Sequence, residues 1–208
     1  MKLFITAPSP YARKCRIVAR EKGLGNRVRE IVADPYADAP ELVANNPLVQ
    51  VPALIAEDGL PLTDSPLICE YLDGLGAGPR LLPETGPERL RVRRIETLAS
   101  GALEAGVKLV LEKRRPESER SPSWMQRWTA GIERSLDALE ALSLEDEPLH
   151  LGTITTAVAA TWLGFRHPDT DWLGTRPRLA ALTARLEQRE SFRETHPAQC
   201  SAWAVRPA

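Results

Sequence analysis

Long apolar runs are missing from this chain: no stretch approaches the ~20 apolar residues a membrane-spanning helix needs, which excludes a helical membrane protein. An excess of one charge sign is missing too. Lys and Arg number 27 against 28 Asp and Glu, a formal charge of −1, so no field is present that would draw the chain to nucleic acid or to an anionic membrane surface. Cysteine is scarce. Cys15, Cys69 and Cys200 lie far apart and form no C-x-x-C or metal-ligand spacing, so reduced thiols, a reducing cytosol and no bound metal are expected. Met1-Lys2 leads directly into a strand pattern without a signal-peptide apolar region, and a cytoplasmic location is expected. Internal repeats and low-complexity blocks are also lacking.

What the sequence contains is ordinary globular usage, 43% apolar and 26% charged over 208 residues, enough for a packed core in one domain or in two sharing an interface. Residues 2–6 (KLFIT) form a short apolar run ended by Ala7-Pro8-Ser9-Pro10, after which Tyr11, Cys15 and Val18 recur at helical spacing as far as Gly23. That reads as strand, turn and helix, with Cys15 a small buried core residue. Residues 27–32 alternate charged and apolar and give a second strand. Residues 40–46 give a short helix that stops before Pro47, because the residue before a proline is pushed out of the helical region. Residues 53–56 and 60–62 flank Asp58-Gly59, whose positive φ angles suit a tight turn, so the third and fourth strands are expected to be antiparallel. Ser65-Pro66 opens the next helix with a cap residue and a first-turn proline, and Leu67, Ile68, Tyr71 and Leu72 give it an apolar face.

The order β-α-β-α-β-β-α is complete within residues 1–75. Gly74, Gly76, Gly78, Pro79 and Pro83 then suggest a linker over residues 76–86, and residues 87–208 show no strand pattern. Helices are expected at 89–115, 124–142, 153–165 and 178–189. The first has Ile95, Leu98, Ala102, Ala105 and Leu109 on one stripe, with Gly101 and Gly106 permitting close approach by a neighbour. The third carries no charge and belongs in the middle of a bundle. Lys113-Arg114-Arg115 reads as a solvated helix end, and the last residues, with Cys200 and Trp203, show no periodicity.

Three places could carry chemistry. Ser9 sits where a strand ends and a helix begins, so its hydroxyl lies at the positive end of a helix dipole; a plain N-cap accounts for it equally well. In Gln50-Val51-Pro52 a cis Val51-Pro52 bond would expose the Val51 amide and carbonyl to an extended ligand, although X-Pro bonds are cis only ~5–6% of the time. At Thr63-Asp64-Ser65-Pro66 the amides of a helix N-terminus can hold a carboxylate and Asp64 can receive an ammonium, or the segment is only a cap.

Taken together, residues 9–14 (SPYARK), 46–54 (NPLVQVPAL) and 63–72 (TDSPLICEYL) resemble the glutathione S-transferase superfamily. Residues 90–96 (LRVRRIE), 133–137 (ERSLD) and 189–192 (RESF) are similar to its bacterial YibF-like subgroup, so the likeness spans nearly the whole chain. The resemblance implies a thioredoxin-like glutathione-binding domain over residues 1–75, an all-α helical-bundle domain over residues 87–208, and a homodimer. It implies a glutathione transferase with glutathione as cosubstrate, a small apolar electrophile as second substrate, and glutathione-dependent peroxidase as a side activity; a glutathione-binding protein of the same fold with little catalysis is the alternative. By the same resemblance Ser9 would donate to the glutathione sulfur, with Tyr11 as the alternative donor. Val51 would pair its backbone with the cysteinyl unit beside cis-Pro52, Asp64 and Ser65 would hold the γ-glutamyl end, Gln50 would face the glycyl carboxylate, and Arg13 would assist electrostatically. Neither redox cysteine stands in Ser9-Pro10-Tyr11-Ala12, so thioredoxin-type dithiol chemistry is not expected. One departure is His150-Leu151-Gly152-Thr153, where the family carries a Ser/Thr-x-x-Asp capping box. The exchange is expected to weaken a device worth ~0.5–2 kcal/mol.

Overall fold

The computed structural model describes residues 1–199. They pack as two compact units, Met1–Leu82 with the segment from Glu190 onward, and Pro83–Arg189.

The first unit runs β1 (Lys2–Ile5), α1 (Pro10–Glu21), β2 (Arg29–Val32), α2 (Pro40–Asn45), β3 (Ala53–Ile55), β4 (Pro61–Leu62) and α3 (Ser65–Leu75). The sheet order is β2-β1-β3-β4, a thioredoxin-like arrangement. β1 and β2 are parallel because α1 crosses between them, whereas β3 is antiparallel to both β1 and β4. Leu3, Phe4 and Ile5 are all buried, as befits a central strand covered on both faces. Phe4 packs with Ala33, Leu42 of α2 and Ala53, while α1 buries Cys15, Ile17 and Val18 and α3 buries Ile68, Cys69 and Leu72. The Asp58-Gly59 turn is closed by the Asp58 carboxylate, which accepts from the Leu60 amide at 3.0 Å, with Gly59 at φ 88°.

Composition reads residues 76–86 as a linker, but the chain as far as Leu82 is tied into the first unit. The reason is a buried ion pair, Lys22 Nζ to Asp73 Oδ1 at 3.2 Å. Lys22 also donates to the carbonyls of Gly78 and Pro79, and the Asp73 carboxylate accepts from the Leu81 and Leu82 amides at 2.9 and 3.1 Å. Gly76 is required by close approach: a Cβ there would lie 2.3 Å from Lys22 Cβ.

The second unit holds α4 (Gly86–Arg114), α5 (Pro122–Glu140), α6 (Leu151–Arg166) and α7 (Pro177–Glu187), so this half is all-helical. Uncharged residues 151–160 of α6 are buried throughout. Gly106 of α4 admits α6, since a Cβ on it would meet Leu163 at 2.8 Å and Trp162 at 2.9 Å; Gly101 faces open space, so only one of the two glycines serves close approach. The α6 cap is complete rather than weakened. His150 Nδ1 accepts from the Thr153 amide at 3.1 Å and Thr153 Oγ1 accepts from the His150 amide at 3.0 Å; an imidazole lone pair replaces the usual hydroxyl.

A short helix, α8 (Glu190–Arg193), follows the last expected helix, and a 3-10 turn at Pro197–Gln199 opens the last dozen residues, where the sequence showed no periodicity. Cys200 and Trp203 lie outside the described residues. No described helix is long and apolar enough to cross a membrane.

Candidate functional site

The strand register decides which segments meet. Phe4 of β1 lies opposite Ala53 of antiparallel β3, so the end of β1 and the start of β3 share one end of the sheet. Leu62 of β4 lies opposite Leu54 of β3, which brings the end of β4 to that same end. Ser9 follows β1, Val51-Pro52 precedes β3, and Asp64-Ser65 follows β4, so segments ~12 to ~55 residues apart are gathered by an alternation of strand direction.

Ser9 is the N-cap of α1. Its Oγ accepts from the Ala12 amide at 3.2 Å, and Pro10 occupies the first turn. That bond uses a lone pair of the hydroxyl and leaves its proton for an acceptor in front of the helix. Cap and donor are therefore compatible roles for one half-buried side chain. Tyr11, two residues further, is also half-buried.

The Val51–Pro52 peptide bond is cis, as is Thr63–Asp64. Among the described residues the amide and carbonyl of Val51 bond to no other group, which is the free edge an extended peptide can pair with. Gln50 is exposed. Its carbonyl is held by the fully buried Asn46, whose Nδ2 donates to it at 2.8 Å while Oδ1 accepts from the Leu48 amide at 3.1 Å. Asn46 thus shapes the loop that delivers Val51, a role the sequence reading left unassigned; an asparagine directly after a helix and before proline was the available signal.

Asp64 is the N-cap of α3 but makes no side-chain cap bond, so its exposed carboxylate is available to a cation. Ser65, just inside the helix, is buried, and its amide belongs to the helix N-terminus, where anions are favoured.

Arg13 lies in the interior, against the segment that follows α7. Its buried guanidinium donates from Nη2 to the Phe192 carbonyl at 3.1 Å and lies over the Phe192 ring, 5.7 Å from the centroid. A cavity of about 320 Å³ lies near Arg16, Arg20, Gly25, Val28 and Glu30. Because β2 is parallel to β1, Val28 marks the opposite end of the sheet. The cavity's charges are mutually paired: Arg16 to Glu30, Arg20 to Glu30, and Arg20 to Glu194, each at 2.9 Å. Burial would raise the Glu30 carboxyl, but the two guanidinium groups outweigh it and hold it below the usual range.

Residues 8–75 match the family described as glutathione S-transferase, N-terminal domain. An Escherichia coli K12 protein named uncharacterized GST-like protein YibF is 38% identical over 202 residues, 95% of this chain and 98% of its own. Among solved structures, a glutathione transferase family member from Pseudomonas fluorescens Pf-5 with bound glutathione superposes at TM-score 0.90 and 34% identity, covering 94% of this chain and 98% of its own. A glutathione S-transferase from Methylobacillus flagellatus KT with glutathione bound gives 0.87 and 34%, with the same coverage.

Proposed function

The chain belongs to the glutathione S-transferase superfamily, in its YibF-like subgroup, and we propose that it binds glutathione at the Ser9, Val51 and Asp64 end of the sheet and activates the thiol for attack on a small apolar electrophile. The observation that carries this reading is the junction of three groups at one sheet end: a cap hydroxyl with its proton unused, an unpaired Val51 backbone edge and a free Asp64 carboxylate. They match, in kind, what a γ-glutamyl-cysteinyl-glycine tripeptide offers, namely a sulfur, an extended backbone and an ammonium. Ser65 would receive the α-carboxylate beside that ammonium, and exposed Gln50 the glycyl end. Two similar proteins were solved with glutathione bound.

In this reading the thiol loses its proton to solvent and Ser9 donates to the resulting thiolate. The sulfur lone pair then forms the S–C bond as the leaving group departs with its electron pair, or as the π electrons of an acceptor shift. Lowering a thiol pKa by ~2 units requires ~2.7 kcal/mol of preference for the thiolate. A hydrogen bond to a charged group at ~1.5–3 kcal/mol and a helix dipole at ~0.3–1 kcal/mol can supply it. A cytoplasmic homodimer is part of the same proposal; exposed Leu60 and Leu67 are apolar groups that a second copy would cover, and light scattering at micromolar concentration decides it.

The deciding experiment follows the ultraviolet thiolate absorbance of bound glutathione against pH. The wild-type protein is expected to depress the thiol pKa, and Ser9→Ala to raise it again by ~1–2 units. Binding with no depression in the wild type makes this a glutathione-binding protein without activation. No binding at all overturns the reading.

A further inference from the structure

We propose that Cys15 and Cys69 are a redox modification site, a thiol pair behind the glutathione-binding end of the sheet that hydrogen peroxide closes to a disulfide, weakening glutathione binding. The disulfide half stands alone, whereas the coupling half rests on the glutathione site proposed above.

Burial by itself makes a cysteine a small apolar side chain, and both residues are fully buried. What sets them apart is sulfur-to-sulfur contact across two helices. The Sγ atoms are 3.7 Å apart and neither belongs to a disulfide. Cys15 lies on α1 and Cys69 on α3, each within about a turn and a half of its helix N-terminus. Those are the termini that carry Ser9 and Asp64-Ser65. Cys15 Sγ is also 3.8 Å from the Ser65 carbonyl oxygen, so the pair touches the first turn of α3 directly.

Closure has a mechanical consequence. A disulfide bond is about 2.05 Å long, so the sulfurs must approach by more than an ångström from their present contact. In a close-packed interior such a change is passed to the backbone rather than absorbed by voids, here as a shift of α1 against α3. A displacement of that order among groups that bind one ligand is enough to lose most of its fit.

The chemistry balances with hydrogen peroxide as oxidant, a molecule small enough to enter during local opening of the α1 and α3 contact. One sulfur attacks a peroxide oxygen and the O–O bond breaks. The departing hydroxide takes the thiol proton as water and leaves a sulfenic acid. The second sulfur attacks the sulfenic sulfur; the S–S bond forms, the S–O bond breaks, and the hydroxyl leaves with the second thiol proton as another water. Two thiols and one peroxide give one disulfide and two waters, the two electrons passing from sulfur to oxygen. Dithiothreitol reverses the step by thiol exchange.

The test uses the full chain carrying Cys200→Ser, so that no third thiol competes. Before and after peroxide, peptides are mapped without reduction and affinity is measured with S-methylglutathione, which has no thiol to reduce the bond. Expected are a linked Cys15 and Cys69 peptide pair, an affinity loss on the order of tenfold or more, and recovery of both on adding dithiothreitol. Cys15→Ala and Cys69→Ala should each abolish the cross-link and the peroxide effect on affinity. Oxygen adducts on single cysteines, or no change, overturn the site. A cross-link with unaltered affinity overturns the coupling. Failure of the reduced protein to bind S-methylglutathione overturns the coupling together with the function proposed above, while the peptide map still decides the disulfide.

Discussion

Ser9 answers two needs with one oxygen. Its lone pair receives the Ala12 amide at 3.2 Å, and its proton is the one proposed above to reach the glutathione sulfur. Glycine replaces a capping serine at a cost of roughly a few tenths of a kcal/mol and has no side-chain donor. Ser9→Gly is therefore expected to leave the urea midpoint nearly unchanged while the pKa of bound glutathione rises as in Ser9→Ala; a large stability loss in the glycine variant would mean that the site needs the hydroxyl for folding. Lys22 and Asp73 illustrate a different dependence. Both side chains are almost wholly buried, and Asp73 holds two amides as well as the ammonium. Removing one partner of a buried pair strands the other charge, which costs about 3–5 kcal/mol. Lys22→Met should lower the unfolding free energy by at most that amount, since Arg80 Nε stays 3.5 Å from Asp73 Oδ2, read from urea denaturation. The double change Lys22→Met with Asp73→Asn should lose less, because the buried negative charge goes while an amide oxygen still accepts from the Leu81 or Leu82 amide and Arg80, the other cation beside Asp73, stays in reach of solvent.

Among the elements, α6 carries a neutral histidine at each end. Thr153 N–H can only donate, so His150 Nδ1 must be unprotonated to cap the helix. At the other end His167 Nε2 lies 3.0 Å from the Gly106 carbonyl and Nδ1 lies 3.5 Å from Lys113 Nζ, an arrangement in which Nε2 donates and Nδ1 accepts. Burial first, then the Arg91 charge, holds His150 below the ordinary histidine range against the pull of Glu147 and Glu88. Burial, Lys113 and Arg166 do the same for His167 against the Gly106 carbonyl and Asp169. The unfolded chain thus binds protons more readily than the folded one. This contribution to stability is fully present above the unfolded value of ~6.5 and is lost as pH falls through the lower folded values. His150→Ser keeps a good cap that does not titrate there. Between pH 8 and 5 the urea midpoint of the wild type should fall more than that of the variant, and parallel curves would mean that the cap survives protonation. The lack of charge announced α6 in the sequence, and the family resemblance marked His150 as its cap position. The strength of that cap was not visible, because imidazole as an acceptor depends on a tautomer that only the Thr153 amide imposes. Likewise Asp58-Gly59 announced its hairpin through local φ preference, but nothing local distinguished Gly106 from Gly101; the distinction lies in Trp162 and Leu163, which face one and not the other.

At the scale of the whole molecule, the part least legible in the sequence is the segment from Glu190. The order of elements in the first unit follows from local patterns and the site segments from the family resemblance, whereas this segment joins the first unit through contacts between distant residues. Arg13 reaches Phe192 across 179 positions, Ser191 Oγ donates to Glu21 Oε1 at 2.5 Å across 170, and Arg20 pairs with Glu194. Residues 189–192 stand out only through the family resemblance; none of these contacts has a period to announce it, and each meets α1 from a part of the chain that follows the helical unit. Phe192 is fully buried and supplies both the carbonyl and the ring that hold Arg13. Phe192→Ala should cost about 3–5 kcal/mol as a large-to-small core change. It is also expected to act on the first unit rather than on the helices that precede it in sequence. Native-state hydrogen exchange distinguishes the two cases: amides of α1 should lose more protection than those of α6. Equal loss in both would mean that the chain unfolds as one cooperative body. In the expected case glutathione affinity should fall as well, although no group proposed to touch the ligand has been altered, because α1 carries Ser9 at its start and leans on Phe192 through Arg13.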